Sequence, residues 1–281
     1  MYFRWIALLL LVCACHPFSK AKLSEEDNQK QKIESGYFGE GKPLFLVSSA
    51  CDQTKQKILV FIHGSPGSWS DYKKYLNHPD LQKEFCVIAV DRPGFGNSPT
   101  DQSFPNIFKQ SKLIGEALFS FFAKKEIKVY RLTLVGHSYG GPIVLAMGKW
   151  KDKIEKLILL ASPADPLLEE IHWYNKFGSI TFVQWILPNF LNHSNEEMYS
   201  LPSQLKELDE QLAILESDLT IVHGTEDTLV PFQNVKYLKE HSPRSKVIIY
   251  ALNEEGHFIP WTKFDLILDI LLQRSKLSPS I

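Results

Sequence analysis

The feature that most constrains this chain is a series of short, continuously apolar runs separated by stretches with helical periodicity. Lys57 to Ile62 is β-branched and apolar almost throughout, so it has no face to offer to water and suits a strand buried on both sides. Phe85 to Val90, Leu132 to Val135, Lys156 to Leu160, Leu219 to Val222 and Lys246 to Tyr250 read the same way. Between them the spacing predicts helices over Trp69 to Asn77, Ile107 to Lys125, Tyr139 to Trp150, Phe232 to His241 and Thr262 to Arg274. Strands alternating with helices imply an α/β fold, a mostly parallel central sheet with helices on both faces. Ahead of this pattern, Tyr37 to Ser49 reads as two short strands joined by Gly39 to Pro43.

Composition supports one domain with a substantial core. The 281 residues are 44% apolar and include 18 Phe, 10 Tyr and 6 Trp. With 31 basic against 32 acidic residues, the chain lacks the electrostatic footprint of a nucleic-acid binder. One segment breaks the alternation, an insertion over about 163–215 with several helical pieces. It reads as a small helical cap beside the sheet edge. Trp173, Tyr174, Phe177, Phe182, Trp185 and Phe190 lie in it and are expected mostly to pack it onto the body, with some lining an apolar pocket.

Gly136-His137-Ser138-Tyr139-Gly140 follows the run Leu132 to Val135 and opens the helix at Tyr139. A serine on a sharp strand-to-helix turn stands above the sheet edge at a helix N-terminus, where free N–H groups favour developing negative charge. Three further segments accompany it: His63-Gly64-Ser65-Pro66-Gly67, Asp91-Arg92-Pro93-Gly94-Phe95-Gly96-Asn97-Ser98, and the loops carrying Asp227 and His257. In this order the four resemble the α/β-hydrolase family, in its serine esterase-like branch, from about Tyr37 to Arg274. The resemblance implies Ser138 as nucleophile, His257 as base and Asp227 as the orienting acid, with Asp165 and Glu226 as rivals for the acid. It also implies an oxyanion hole made by the backbone N–H groups of Ser65 and Tyr139, since Pro66 has none. Asp91 and Arg92 are read as shaping a loop, not as catalytic.

This constellation points to hydrolysis of an ester, or of an amide, in a small and partly apolar substrate through an acyl-enzyme intermediate. Alternatives on the same triad are a proline-iminopeptidase-like aminopeptidase, a carbon–carbon bond hydrolase and an acyltransferase. A non-catalytic, membrane-tethered binding protein on the same scaffold is the alternative of another class. No cofactor is implied: the sequence lacks a metal-binding His-Glu-x-x-His or Cys-x-x-Cys, and Gly36-x-x-Gly39-x-Gly41 is not followed by a helix.

The N-terminus reads separately. Arg4 and the apolar run Trp5 to Val12 form an export signal too short to remain as a spanning helix. Val12-Cys13-Ala14-Cys15 resembles a bacterial lipoprotein signal, with Cys15 as the lipidated residue; a plain cleaved signal is the other reading. The expected organisation is a signal over 1–15, a polar tether over 16–35 and the hydrolase-like domain over 36–281. The protein would then be exported and held on a membrane by a lipid anchor, facing the periplasm or the cell exterior. Of the four cysteines, Cys51 and Cys86 remain for the domain. In the fold that the resemblance implies, they lie at adjoining ends of paired antiparallel strands, which predicts a Cys51–Cys86 disulfide.

Overall fold

The computed structural model describes residues 33–275, apart from 129 and 151, together with residue 279. The signal, Cys15 and residues 16–32 of the expected tether lie outside the described residues. The strands are β1 (Ile33–Phe38), β2 (Leu44–Ser49), β3 (Lys57–Ile62), β4 (Cys86–Val90), β5 (Arg131–His137), β6 (Ile154–Leu160), β7 (Asp218–Gly224) and β8 (Val247–Leu252). They form one eight-stranded sheet in the order β1-β2-β4-β3-β5-β6-β7-β8. β1 and β2 pair antiparallel, as do β2 and β4, and all other neighbours are parallel. This is the α/β architecture expected. β1 begins at Ile33, so the domain takes in Ile33 to Ser35 of the stretch read as tether.

The continuously apolar strands are buried because helices cover both sheet faces. A 3₁₀ turn (Trp69–Tyr72) leads into α1 (Lys73–Leu76), followed by α2 (Pro79–Glu84), α3 (Ile107–Lys124) and α4 (Gly140–Met147). Three helices make up the insertion: α5 (Trp173–Gly178), α6 (Thr181–Ile186) and α7 (Asn189–Leu212). α8 (Asn234–His241), α9 (Ile259–Thr262) and α10 (Phe264–Leu271) complete the chain. Alternate residues of each strand divide between two apolar layers. Ile58, Val60 and Ile62 face α3, α4 and α7, whereas Leu59 and Phe61 face the aromatic cluster of Trp69, Tyr72 and Tyr75 and the helix α10.

Cys51 and Cys86 are joined by a disulfide, with their Cα atoms 4.4 Å apart. The register explains the proximity: Ser49 of β2 stands opposite Val87 of β4, so the end of one strand meets the start of the other.

The cap differs from expectation. Trp173, Phe177, Phe182 and Trp185 do not pack onto the body but are exposed, Trp185 to 82%. The insertion docks instead through α7, which buries Leu201, Leu205, Leu208 and Leu212 together with polar His193, Ser194, Glu197 and Gln204. A helix held along one full face needs no aromatics from α5 and α6, and α6 has no buried residue.

Candidate active site

All the functional segments leave the same edge of the sheet. β3, β4, β5 and β7 run parallel or share that parallel block, so their C-terminal ends bring His63, Asp91, Ser138 and the loop after Gly224 to one side. Ligands bind at that edge in open α/β sheets.

Ser138 has a left-handed backbone, with φ of 52°, between the end of β5 and the start of α4. Positive φ is costly for a residue with a side chain and marks the strained strand-to-helix turn. Its backbone is fixed on both sides, since Ser138 N–H donates to Leu160 O at 2.9 Å and Ser138 O accepts from Gly141 N–H at 2.8 Å. Glycine is required where the chain doubles back. A Cβ on Gly136 would lie 2.4 Å from Gly140 O, and one on Gly140 would lie 2.3 Å from Ile62 O.

Asp227 and His257 come from loops after β7 and β8. The Asp227 Oδ1 accepts from the N–H groups of Leu229 and Val230, at 2.9 and 2.8 Å. Its Oδ2 accepts from His257 Nδ1 at 2.8 Å. A carboxylate only accepts, so Nδ1 carries the proton and Nε2 is the ring's basic nitrogen. Burial alone would raise the Asp227 carboxyl, but hydrogen bonds from His223 and His257 hold it well below the usual carboxylate range. The rivals are placed elsewhere: Asp165 Oδ1 accepts from Leu167 N–H, and Glu226 N–H donates to Glu255 O.

His257 is tied to the turn of Ser138 by His137, the residue before it. His137 Nε2 donates to His257 O at 3.1 Å, and the two rings are 4.9 Å apart. Burial, then the neighbouring His257, lowers His137 to about 3, so it is neutral at physiological pH.

The loop after β3 runs against the nucleophile. A Cβ built on Gly64 would lie 3.0 Å from Ser138 Cβ. Among the described residues, no acceptor is paired with the N–H of Ser65 or with that of buried Tyr139. Unpaired N–H groups at such places are rare unless something else is meant to satisfy them.

Two sets of neighbours escape a reading by motif. His223, at the end of β7, donates Nε2–H to Val230 O at 2.9 Å and stands 3.4 Å from Asp227 Oδ2. Its only sequence signal is its place four residues before Asp227. Arg92, read as a loop-shaping residue, is fully buried and pairs with Glu197 of α7, a partner that no local motif announces. Among the described residues no group of three or more His, Cys, Asp or Glu could hold a metal ion, and no helix is long and apolar enough to cross a membrane.

Comparison with known proteins agrees with this geometry. The chain is 27% identical over 250 residues to the uncharacterized hydrolase YugF of Bacillus subtilis (strain 168), covering 75% of this chain and 87% of the relative. It is 24% identical over 245 residues to the 2-hydroxymuconate semialdehyde hydrolase of Pseudomonas sp. (strain CF600), covering 74% of this chain and 81% of that protein. The structure of 2-hydroxy-6-oxo-6-phenylhexa-2,4-dienoate hydrolase from Rhodococcus sp. strain RHA1 superimposes with a TM-score of 0.66 at 18% identity, over 87% of this chain and 99% of the other. The model of the Alpha/beta hydrolase family matches residues 59–262, from β3 through the His257 loop to α9. That span takes in the elbow, the acid loop and the histidine loop together, and the chain belongs to the α/β-hydrolase family.

Proposed function

We propose that this hydrolase cleaves an ester of a small, partly apolar substrate through an acyl-enzyme, with Ser138 as nucleophile, His257 as general base and Asp227 as its orienting acid. The observation that carries the reading is the His257–Asp227 hydrogen bond of 2.8 Å beside a serine held at positive φ. His257 Nε2 takes the proton of Ser138 Oγ as the oxygen attacks the substrate carbonyl. The carbonyl oxygen becomes an oxyanion and accepts from the N–H groups of Ser65 and Tyr139. His257 then passes the proton to the leaving alkoxide and afterwards draws one from water, which attacks the acyl carbon and frees Ser138. An amide would follow the same path with an amine leaving.

Two similar proteins carry names that refer to a 2-hydroxymuconate semialdehyde and a phenylhexadienoate, which makes carbon–carbon bond hydrolysis the second reading. The carboxylate of such a dienoate stands at the other end of the molecule from the carbonyl that Ser138 would attack, so it calls for a cation several carbons away from Ser138. Arg92, held by Glu197 against the loop of Ser65, is not that cation. The ester reading stays first because its chemistry needs no such cation. Assays with p-nitrophenyl esters of graded chain length beside a 2-hydroxy-6-oxodienoate test the choice. Turnover of the esters with none of the dienoate is expected; the reverse would replace the ester reading by the second.

The export and anchor readings belong to the same proposal. The chain enters the fold at Ile33, which pairs with Ser49 of β2, itself opposite Val87 near the start of β4. That is the end of the sheet opposite Ser138. A lipid at Cys15 would thus be joined to the domain by way of β1 and not through the edge that carries Ser138.

A further inference from the structure

We propose that cap helix α7 is part of the device that aims the oxyanion hole, with Glu197 and Arg92 as positioning residues for the Ser65 N–H. The proposal rests on the reading of that N–H as an oxyanion donor.

The chain of contacts begins at the peptide between Gly64 and Ser65. In a planar trans peptide the C=O and the N–H point in opposite directions. Whatever holds the Gly64 carbonyl therefore sets the aim of the Ser65 N–H. Two donors hold it: His63 Nδ1 at 2.8 Å and Arg92 Nη2 at 2.8 Å. His63 can donate from Nδ1 because its Nε2 accepts from Arg92 N–H at 3.0 Å, which makes Nδ1 the protonated nitrogen.

The Arg92 guanidinium is in turn fixed from the cap. Its Nη1 and Nη2 donate to Glu197 Oε1 and Oε2 at 2.6 and 3.0 Å, a two-pronged pair with both side chains buried. Gln110 closes a ring around the pair, accepting from Arg92 Nη1 at 2.8 Å and donating to Glu197 Oε1 at 2.7 Å. The guanidinium also lies over the rings of Phe95 and Tyr139, at 4.5 and 4.9 Å, and Tyr139 bears the second unpaired N–H. One turn earlier on the same face of α7, Ser194 Oγ accepts from Ser65 Oγ at 2.9 Å. The cap thus grips the loop at Ser65 itself and at the peptide that aims its N–H. A pair that served only to fasten the cap to the body would have no reason to end on that carbonyl.

Removing Glu197 leaves a buried guanidinium without its counter-ion, so Arg92 must turn toward another partner and release Gly64 O. Two variants of the full chain test this on p-nitrophenyl butyrate. Glu197→Gln keeps the shape and removes the charge. The double variant Arg92→Met with Glu197→Met leaves no buried charge and is expected to melt close to wild type, so it decides the matter even where the single variant folds poorly. Both are expected to lower kcat about 10- to 100-fold, short of or equal to loss of one donor, with KM within about threefold of wild type. An alkyl trifluoromethyl ketone supplies the second readout. Ser138 Oγ bonds its carbonyl carbon, the hydroxyl proton passes to His257, and the carbonyl oxygen becomes an oxyanion in the hole. Its affinity is expected to fall by the same factor as kcat/KM, a proportionality that a merely structural role would not produce. Folded variants with wild-type kcat, or with a loss confined to KM, overturn the proposal while leaving the Ser138 reading intact. Hydrolysis that survives Ser138→Ala overturns both.

Discussion

At the residue scale, the proposed chemistry rests on neutral and charged groups placed so that one histidine keeps a free Nε2. Asp227 is kept ionised by the donors around it and fixes His257 with its Nε2 unprotonated. Asp227→Asn offers an amide in place of a second acceptor and permits the wrong tautomer. Steady-state assays are expected to show kcat reduced by about 10³- to 10⁴-fold with the fold intact. His137 makes a different prediction. Its folded-state pKa of about 3 lies below the ordinary 6.5, so acid protonates the unfolded chain first. Its contribution to stability is full above about pH 6.5 and is lost as pH falls toward about 3. Urea unfolding of wild type and His137→Gln across this range should show the wild type's advantage shrinking by at most about 1.4 kcal/mol per pH unit. An advantage that is flat or grows in acid contradicts the neutral, buried assignment.

At the scale of elements, what could be read from the chain and what could not separate cleanly. The strands were legible because continuous β-branched runs have one physical solution, burial on both faces, and β3 spans the expected Lys57 to Ile62. Helix ends were less so. The helix expected over Trp69 to Asn77 is a 3₁₀ turn capped by Ser68 and followed by a short α-helix, and α2 went unread because Pro79 looks like an interruption, whereas it is a first-turn residue behind His78. The second half of the 24-residue α7 carries leucines at helical spacing, Leu201, Leu205, Leu208 and Leu212, but its full length was hidden by Pro202 and by a first half whose buried residues, His193, Ser194 and Glu197, are polar. For the same reason Glu197 and Ser194 could not be found by motif: their partners lie about a hundred residues away or more. The disulfide ties β2 to β4 near the sheet's edge and closes a loop with a sequence separation of 35. Reduction should lower unfolding stability by about 2–4 kcal/mol without altering kcat, since the bridge sits at the opposite end of β4 from Asp91. Denaturant unfolding with and without reductant measures the change, and an unchanged midpoint would leave the bridge no role in stability.

At the scale of the whole molecule, the sheet separates two ends to which the proposed function gives different parts. Ser138, His257 and the loop of Ser65 gather at the C-terminal ends of the parallel strands, while the chain enters at the other end through β1. If Cys15 carries lipid, the full chain expressed in a bacterium should take up radiolabelled palmitate and partition with membranes, and Cys15→Ala should abolish the label. A label that persists in the variant, or soluble release of the wild type, contradicts the anchor. The central claim is that Ser138 is an activated nucleophile, and a fluorophosphonate probe addresses it directly. Intact mass should show one adduct per chain, with peptide mapping placing it on Ser138, and no adduct on Ser138→Ala. An unlabelled wild-type chain, or an adduct that survives Ser138→Ala, would contradict the account.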